Sequence, residues 1–293
     1  MIHPQRRRAF LAASSSGMLA ALLGPRFADA ATPKPTLPVT TAAIEERPDL
    51  ASYFKQAGTT GTWAVLDSAT SKLTVVDRRR AERRYSPAST FKIPNSLIAL
   101  ETGAVKDIDE VLPYGGKPQR RKEWERDMNL RDAIRVSHLP IYREVARRIG
   151  LARMNEWIEK LHYGNEMLGP QVDEFWVNDT LKISAVEQVR FLSRLAQRAL
   201  PMSARSQDMV HDITLIEKTP AYALHAKTGW YYEPRLSIGW WVGWVALADG
   251  GVKSFALNID MHGEADVAKR IPLGRALLAR MDILPAEAGK ARS

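Results

Sequence analysis

The sequence predicts a mixed α/β (α+β) fold: a central antiparallel sheet built from both ends of the chain, flanked by helices and carrying an inserted helical lobe. Three observations predict it. Strand-like apolar runs occur at residues 61–67 and 72–77, and again at 223–228, 237–246 and 254–260. Between these groups, apolar residues recur at helical spacing. A last amphipathic stretch, 268–281, closes the chain. Strands at both ends can share one sheet only if sequence-distant strands pair, which leaves a cleft between the sheet and the helical lobe.

Taken in order, residues 1–30 read as an export signal and not as part of the fold. Arg6-Arg7-Arg8-Ala9-Phe10-Leu11 opens it, a weakly apolar stretch runs to Leu23, and Ala28-Asp29-Ala30 offers small residues for cleavage. Arginines followed by Phe-Leu have the form of a twin-arginine signal; a general secretory signal, also basic at its start, is the alternative. Either route predicts a periplasmic protein that begins near Ala31. Residues 31–60 then form a proline-bearing leader and a first helix, and 61–293 the main domain. A Ser-Ala-Thr-Ser turn joins 61–67 to 72–77 and predicts a hairpin. Helices are predicted over 93–102, 130–136, 142–149, 152–161 and 184–197. In the last of these Val186, Val189, Phe191, Leu192 and Leu195 alternate with charges. The longest apolar run, 238–247, has strand length and reads as a core strand. Trp230, Trp240, Trp241 and Trp244 crowd the same region and read mostly as sheet-packing residues.

Composition removes several function classes. The chain has 293 residues, 45% hydrophobic, enough to bury a large core. It has no cysteine, which excludes thiol nucleophiles, disulfides and thiolate metal sites. Six histidines without H-x-H or H-E-x-x-H spacing argue against a catalytic zinc. Beyond the signal no run approaches the roughly 18 apolar residues of a membrane span, so no stable membrane anchor is expected. The net charge is +9 and falls to +6 once four arginines and one aspartate leave with residues 1–30. It is dispersed in short clusters such as Arg78-Arg79-Arg80, without the aromatic-laced basic stripe of a nucleic-acid surface. Small anionic molecules suit it better.

Two motifs carry the chemistry. In Ser89-Thr90-Phe91-Lys92, ahead of an apolar helix, serine and lysine lie one turn apart and face the same way. Ser52–Lys55 repeats the spacing but runs into Gln-Ala-Gly, and Ser89 itself could be a plain helix cap. Lysine serves as a base only if burial lowers its pKa or chemistry changes it, and Phe91 and Ile93 suit a dry pocket. A neutral lysine can also add carbon dioxide to give a carbamate. Lys227-Thr228-Gly229 ends an apolar strand, with a charge, a hydroxyl for a substrate carboxylate and a glycine that permits close approach. Together the two motifs point to a serine acyl-transfer enzyme of the penicillin-recognising kind.

From residue 62 to 278 the chain resembles the class D serine β-lactamases, the oxacillinase group. Ser89-Thr90-Phe91-Lys92 continues into Ile93-Pro94-Asn95-Ser96, and Trp124-x-x-Asp127-x-Asn129-Leu130 leads to Ser137. Tyr163-Gly164-Asn165, Phe175-Trp176, Lys227-Thr228-Gly229-Trp230 and Ile238-Gly239-Trp240 follow. The spacings, 48 residues from Ser89 to Ser137, 26 more to Tyr163 and 64 more to Lys227, are typical of that class. The resemblance implies the serine β-lactamase and penicillin-binding transpeptidase fold and hydrolysis of β-lactams: penicillins, with cephalosporins and carbapenems as further candidates. It makes Ser89 the nucleophile and Lys92, as N6-carboxylysine, the general base, with carbon dioxide or bicarbonate the only accessory group. Ser137 and Lys227 relay the proton, backbone N–H groups of Ser89 and Trp230 form the oxyanion hole, and Trp176 supports the carbamate. Thr228, Gly229, Arg270, Leu139 and Tyr163 line the substrate site, with Tyr163 and Asn165 shaping the cleft wall. One departure stands out: Ser137-His138-Leu139 replaces the usual Ser-x-Val, which bears on deacylation; His138 is expected to face away. A β-lactam sensor or a transpeptidase that acylates without efficient turnover is the alternative. Tyr163-Gly164-Asn165 with Trp176 argues against the transpeptidase, and the absence of a Ser-Asp-Asn element argues against class A.

Overall fold

The computed structural model describes residues 44–233 and 235–285; the predicted signal and residues 31–43 of the leader lie outside them. Seven strands form one sheet: β1 (Ile44–Glu46), β2 (Gly61–Asp67), β3 (Leu73–Val76), β4 (Leu215–Lys218), β5 (Tyr222–Glu233), β6 (Leu236–Leu247) and β7 (Val252–Asp260). Their order is β1-β3-β2-β7-β6-β5-β4. The predicted union of the two chain ends is the β2–β7 pair, from Gly61 opposite Ile259 to Asp67 opposite Lys253. Neighbours are antiparallel except β1 and β3, which run parallel.

Helices cover both faces. α1 (Ala51–Gln56) is followed by α2 (Arg78–Glu82), α3 (Lys92–Glu101), α4 (Leu130–Arg135), α5 (Leu139–Ile149), α6 (Leu151–Leu161), α7 (Ala185–Ala196), α8 (Ala204–Thr214) and α9 (Arg270–Arg280). Trp63, Val65, Trp241, Phe255 and Leu257 point to a core shared with Phe54 of α1 and Leu277 of α9. Ala64, Trp240, Val242, Trp244 and Ala256 point to the larger opposite core, shared with α3 and α7. A strand covered on both sides cannot alternate apolar with polar, and this explains the unbroken apolar run of β6.

Four elements were not legible in the pattern. β1 has three residues and α2 is arginine-rich, held at its start by Asp77, whose carboxylate accepts from Arg80 N. α8 hides its inward stripe because Ser206, Gln207 and Thr214 are buried along with Val210 and Ile213. β4 is a four-residue edge strand reached directly from α8. The helix expected at 142–149 begins earlier, at Leu139, because His138 caps it and Pro140 occupies its first turn, where a missing N–H costs nothing. The predicted 184–197 helix is α7, started by a capping box in which Ser184 and Glu187 satisfy each other's backbone N–H.

Where α8 meets β5, His225 stacks on Trp244 with ring centroids 4.4 Å apart and lies 5.4 Å from His211. Its Nδ1 is 3.0 Å from the His211 carbonyl oxygen. Burial, then the neighbouring His211, push the His225 imidazole down to about 4. The unfolded imidazole, near 6.5, takes a proton that the buried ring refuses, so this contribution to stability is complete above pH 6.5 and is lost as pH falls toward 4. The expected size is roughly 3 kcal/mol for His225. Calorimetry between pH 4 and 7 should show Tm falling with pH, with a shallower slope in His225→Gln.

Candidate active site

The Ser89 turn is a short 3-10 segment, Ala88–Phe91, that runs straight into α3. Ala88 sits at φ 47°, a left-handed conformation that a non-glycine residue adopts at a cost, so the turn is held by its surroundings. Ser86 Oγ donates to the Trp176 carbonyl at 2.8 Å, and Trp240 Nε1 donates to the Ser86 carbonyl at 2.9 Å. The next turn of chain puts Lys92 Nζ 2.9 Å from Ser89 Oγ. The amine is buried and the hydroxyl half-buried, so the nucleophile is the more accessible of the two. Burial, then the positive charges of Lys227 and Arg143, hold the Lys92 amine well below the ordinary lysine range and favour its neutral form.

A second lysine–serine pair completes the cleft. Lys227 Nζ donates to Ser137 Oγ at 2.6 Å and to the Thr228 carbonyl at 2.9 Å. Burial, then Arg270, push the Lys227 amine down to about 7. Ser137 lies between α4 and α5 at φ 55°, a second strained position. Its neighbour His138 faces away as expected. His138 Nδ1 accepts from Ile141 N, and Nε2 lies 3.2 Å from the Arg126 carbonyl oxygen. Burial lowers its pKa and keeps it neutral. Leu139 is the first residue of α5, half-buried against the larger core.

β5 brings the third motif to the Ser89 turn. β4 pairs with β5 only as far as His225, so beyond that point β4 leaves the outer edge of β5 uncovered. Gly229 closes the approach: a Cβ there would lie 2.9 Å from the Pro87 carbonyl oxygen and 3.0 Å from Thr90 Cγ2. Thr228 is half-buried beside Lys227. Arg270 opens α9 and is buried, its Nη1 donating to the Gly229 carbonyl at 2.5 Å and its Nε to Val267 O at 3.1 Å.

Geometry and sequence similarity agree. Residues 53–279 match the penicillin binding protein transpeptidase domain. The β-lactamase OXA-5 of Pseudomonas aeruginosa is 38% identical over 234 residues, 79% of this chain and 87% of that protein. The chain belongs to the class D β-lactamases. OXA-48 of Klebsiella pneumoniae is 42% identical over 207 residues, 71% of this chain and 78% of that protein. The crystal structure of FUS-1 (OXA-85), a class D β-lactamase from Fusobacterium nucleatum subsp. polymorphum, superposes with a TM-score of 0.79 at 39% identity, over 82% of this chain and all of that one. The class D β-lactamase YbXI from Nostoc gives 0.78 at 38% identity, over 81% of this chain and all of that one.

Within this class D β-lactamase one expectation needs correction. Tyr163 does not line the cleft. Its side chain is fully buried, edge-on to Phe91 at 5.7 Å and to Phe191 at 5.0 Å, beneath the nucleophile turn. Tyr163-Gly164-Asn165 is instead the clasp of a loop. Asn165 N donates to the Lys182 carbonyl at 2.9 Å, and Asn165 Oδ1 accepts from Lys182 N at 2.8 Å. Gly164, at φ +63°, passes so close that a Cβ would lie 2.1 Å from that same carbonyl oxygen. The loop so closed carries Phe175 and Trp176. Trp176 is fully buried and stacks on Phe91 at 5.5 Å. Its indole N–H has no hydrogen-bond partner among the described residues.

The sequence reading missed the floor of the site. Lys92 Nζ lies 5.1 Å above the ring of Tyr142, whose hydroxyl pairs with Ser96 Oγ at 2.9 Å. Ser96 Oγ donates to the Lys92 carbonyl at 2.8 Å. Ser96 had a signal, four residues after Lys92 on the same helix face; Tyr142 lies on another helix and had none.

Proposed function

We propose that this protein hydrolyses β-lactam antibiotics through an acyl-enzyme on Ser89, with Lys92 working as a carbamate. The observation that carries the reading is the pair of hydroxyl–amine contacts, Ser89–Lys92 at 2.9 Å and Ser137–Lys227 at 2.6 Å, both built on buried, deprotonation-prone lysines. Two requirements of a carbamate are met by residues at hand. The Lys92 amine is driven toward the neutral form that reacts with carbon dioxide, and a buried indole N–H on Trp176 lacks an acceptor among the described residues. A buried unpaired donor costs about 1–3 kcal/mol, so an anionic acceptor there is favoured. When present, the carbamate supplies a carboxylate base near neutral pH. Ser89 then attacks the lactam carbonyl, and the ring C–N bond breaks as Ser137, backed by Lys227, delivers a proton to the departing nitrogen. Backbone N–H groups of Ser89 and Trp230 are proposed for the oxyanion, a contribution of about 10²–10³ in rate per donor. Thr228 and Arg270 are proposed for the substrate carboxylate, beside Gly229 in β5.

The test is the hydrolysis of a chromogenic cephalosporin with and without bicarbonate, Ser89→Ala serving as control. Multiple turnovers raised by bicarbonate support the reading; a single stoichiometric burst means an acylating sensor. Gly229→Ala adds a geometric check. Its Cβ forces β5 off the Ser89 turn, and about 100-fold should be lost in kcat/KM on folded protein. Export to the periplasm through residues 1–30 completes the proposal. No described helix is long and apolar enough to cross a membrane.

A further inference from the structure

Between α5 and residues 114–119 lies a cavity of about 390 Å³, walled by Tyr114, Lys117, Gln119, Pro140, Arg143 and Arg147. That is the size of a small-ligand cleft. Three of these side chains are cationic and none is acidic. Their charges are unequally compensated. Arg147 is matched by Asp173 at 2.7 Å and Glu144 at 3.1 Å, and Arg143 by Glu174 alone at 2.9 Å. Lys117 has no carboxylate partner among the described residues. The Nε–H of Arg143 is buried and has no partner among the described residues. The outer wall is anchored: Tyr114 N donates to Asp127 Oδ1 at 3.0 Å, Gln119 N to Glu125 Oε1 at 3.2 Å, and Trp124 Nε1 to the Val136 carbonyl at 3.1 Å.

Its place relative to the chemistry is set by α5. Pro140 stands three residues after Ser137, and Arg143 directly follows Tyr142, the ring beneath Lys92. Arg143 is close enough for its charge to act on the Lys92 amine. A substrate acylated on Ser89 must direct its side chain out of the cleft, and α5, which starts two residues after Ser137, carries Pro140 and Arg143 into the wall of this cavity. Tyr114 and Pro140 give it an apolar wall; Lys117 and Arg143 give it positive charge.

We propose that the cavity between α5 and the 114–125 segment is an oxyanion subsite, which takes the second carboxylate of a β-lactam whose acyl side chain is itself anionic. This rests on the β-lactam reading above. A free carboxylate or an inorganic oxyanion has the same chemistry, and the experiment separates the two sources.

Carbenicillin and benzylpenicillin differ only by a carboxylate on the side chain, so the ratio of their kcat/KM values isolates the subsite. It also cancels any effect of Arg143 on Lys92. Lys117→Gln and Arg143→Gln should each lower the carbenicillin to benzylpenicillin ratio by about tenfold, the scale of one charge-assisted hydrogen bond. The wild-type ratio should also fall with rising salt. Sulfate that competes with carbenicillin, and not with benzylpenicillin, also supports the subsite and shows that it accepts free oxyanions. Ratios unchanged in both variants would overturn the proposal. The last arm needs no turnover: phenylmalonate should raise the Tm of the wild type, and phenylacetate should not. An enzyme inert to benzylpenicillin but stabilised by phenylmalonate would fail the hydrolase reading and keep the subsite; equal responses to the two acids would remove it.

Discussion

Lys92→Ala is expected to lower turnover of a chromogenic cephalosporin by about 10⁴-fold or more, the scale of removing a member of a catalytic unit. Lys92 is the amine 2.9 Å from Ser89 Oγ, and its carbamate is the proposed base both for Ser89 and for the water that hydrolyses the acyl-enzyme. Its loss therefore removes activation of the serine and of the deacylating water together. Stability should move the other way. Lys92 is buried, and burial opposes its charged form, so the folded state bears a cost that alanine relieves, offset by the lost packing on Tyr142. A Tm equal to or above that of the wild type, with activity gone, marks a residue kept for chemistry. Mass spectrometry of the variant after mixing with substrate adds a second readout, since slow acylation without release should accumulate a covalent adduct. Turnover above about 1% of wild type would place the base elsewhere.

How much of this was legible in the sequence follows from where each signal lay. Ser89 and Lys92 share one turn of chain, so their spacing alone aligned them. Ser137 and Lys227 come from a helix junction and a strand, and only the resemblance could pair them before the 2.6 Å contact was seen. The sheet was legible because β2, β5, β6 and β7 are long and apolar. β1 and β4 are three and four residues long, and pairing with a neighbour defines them more than pattern does. Only the resemblance placed Tyr163 at the cleft wall; no apolar pattern around it announces that its ring packs between Phe91 and Phe191. Arg143 carried no signal at all, because its effect on Lys92 depends on how α5 packs on α3.

Trp176→Phe tests the carbamate at the atom that matters. Phenylalanine keeps an aromatic ring against Phe91, where Trp176 now stacks at 5.5 Å, and removes only the indole N–H and part of the ring area. A hydrogen bond to a charged acceptor is worth about 1.5–3 kcal/mol, so carbamate occupancy in ambient carbon dioxide should fall roughly 10- to 100-fold. Turnover should fall with it, and saturating bicarbonate should restore most of the loss by mass action. The pH profile supplies the sign. Carbamate forms only on the neutral amine, and burial beside Lys227 and Arg143 lowers the Lys92 pKa, so occupancy should drop as pH falls and protons compete. The variant should show this acid limb at higher pH than the wild type, because a weaker carbamate is displaced by fewer protons. A role in packing alone predicts something else: a lower Tm, a smaller kcat at every pH, and no recovery with bicarbonate. That pattern would leave Lys92 acting as a plain amine.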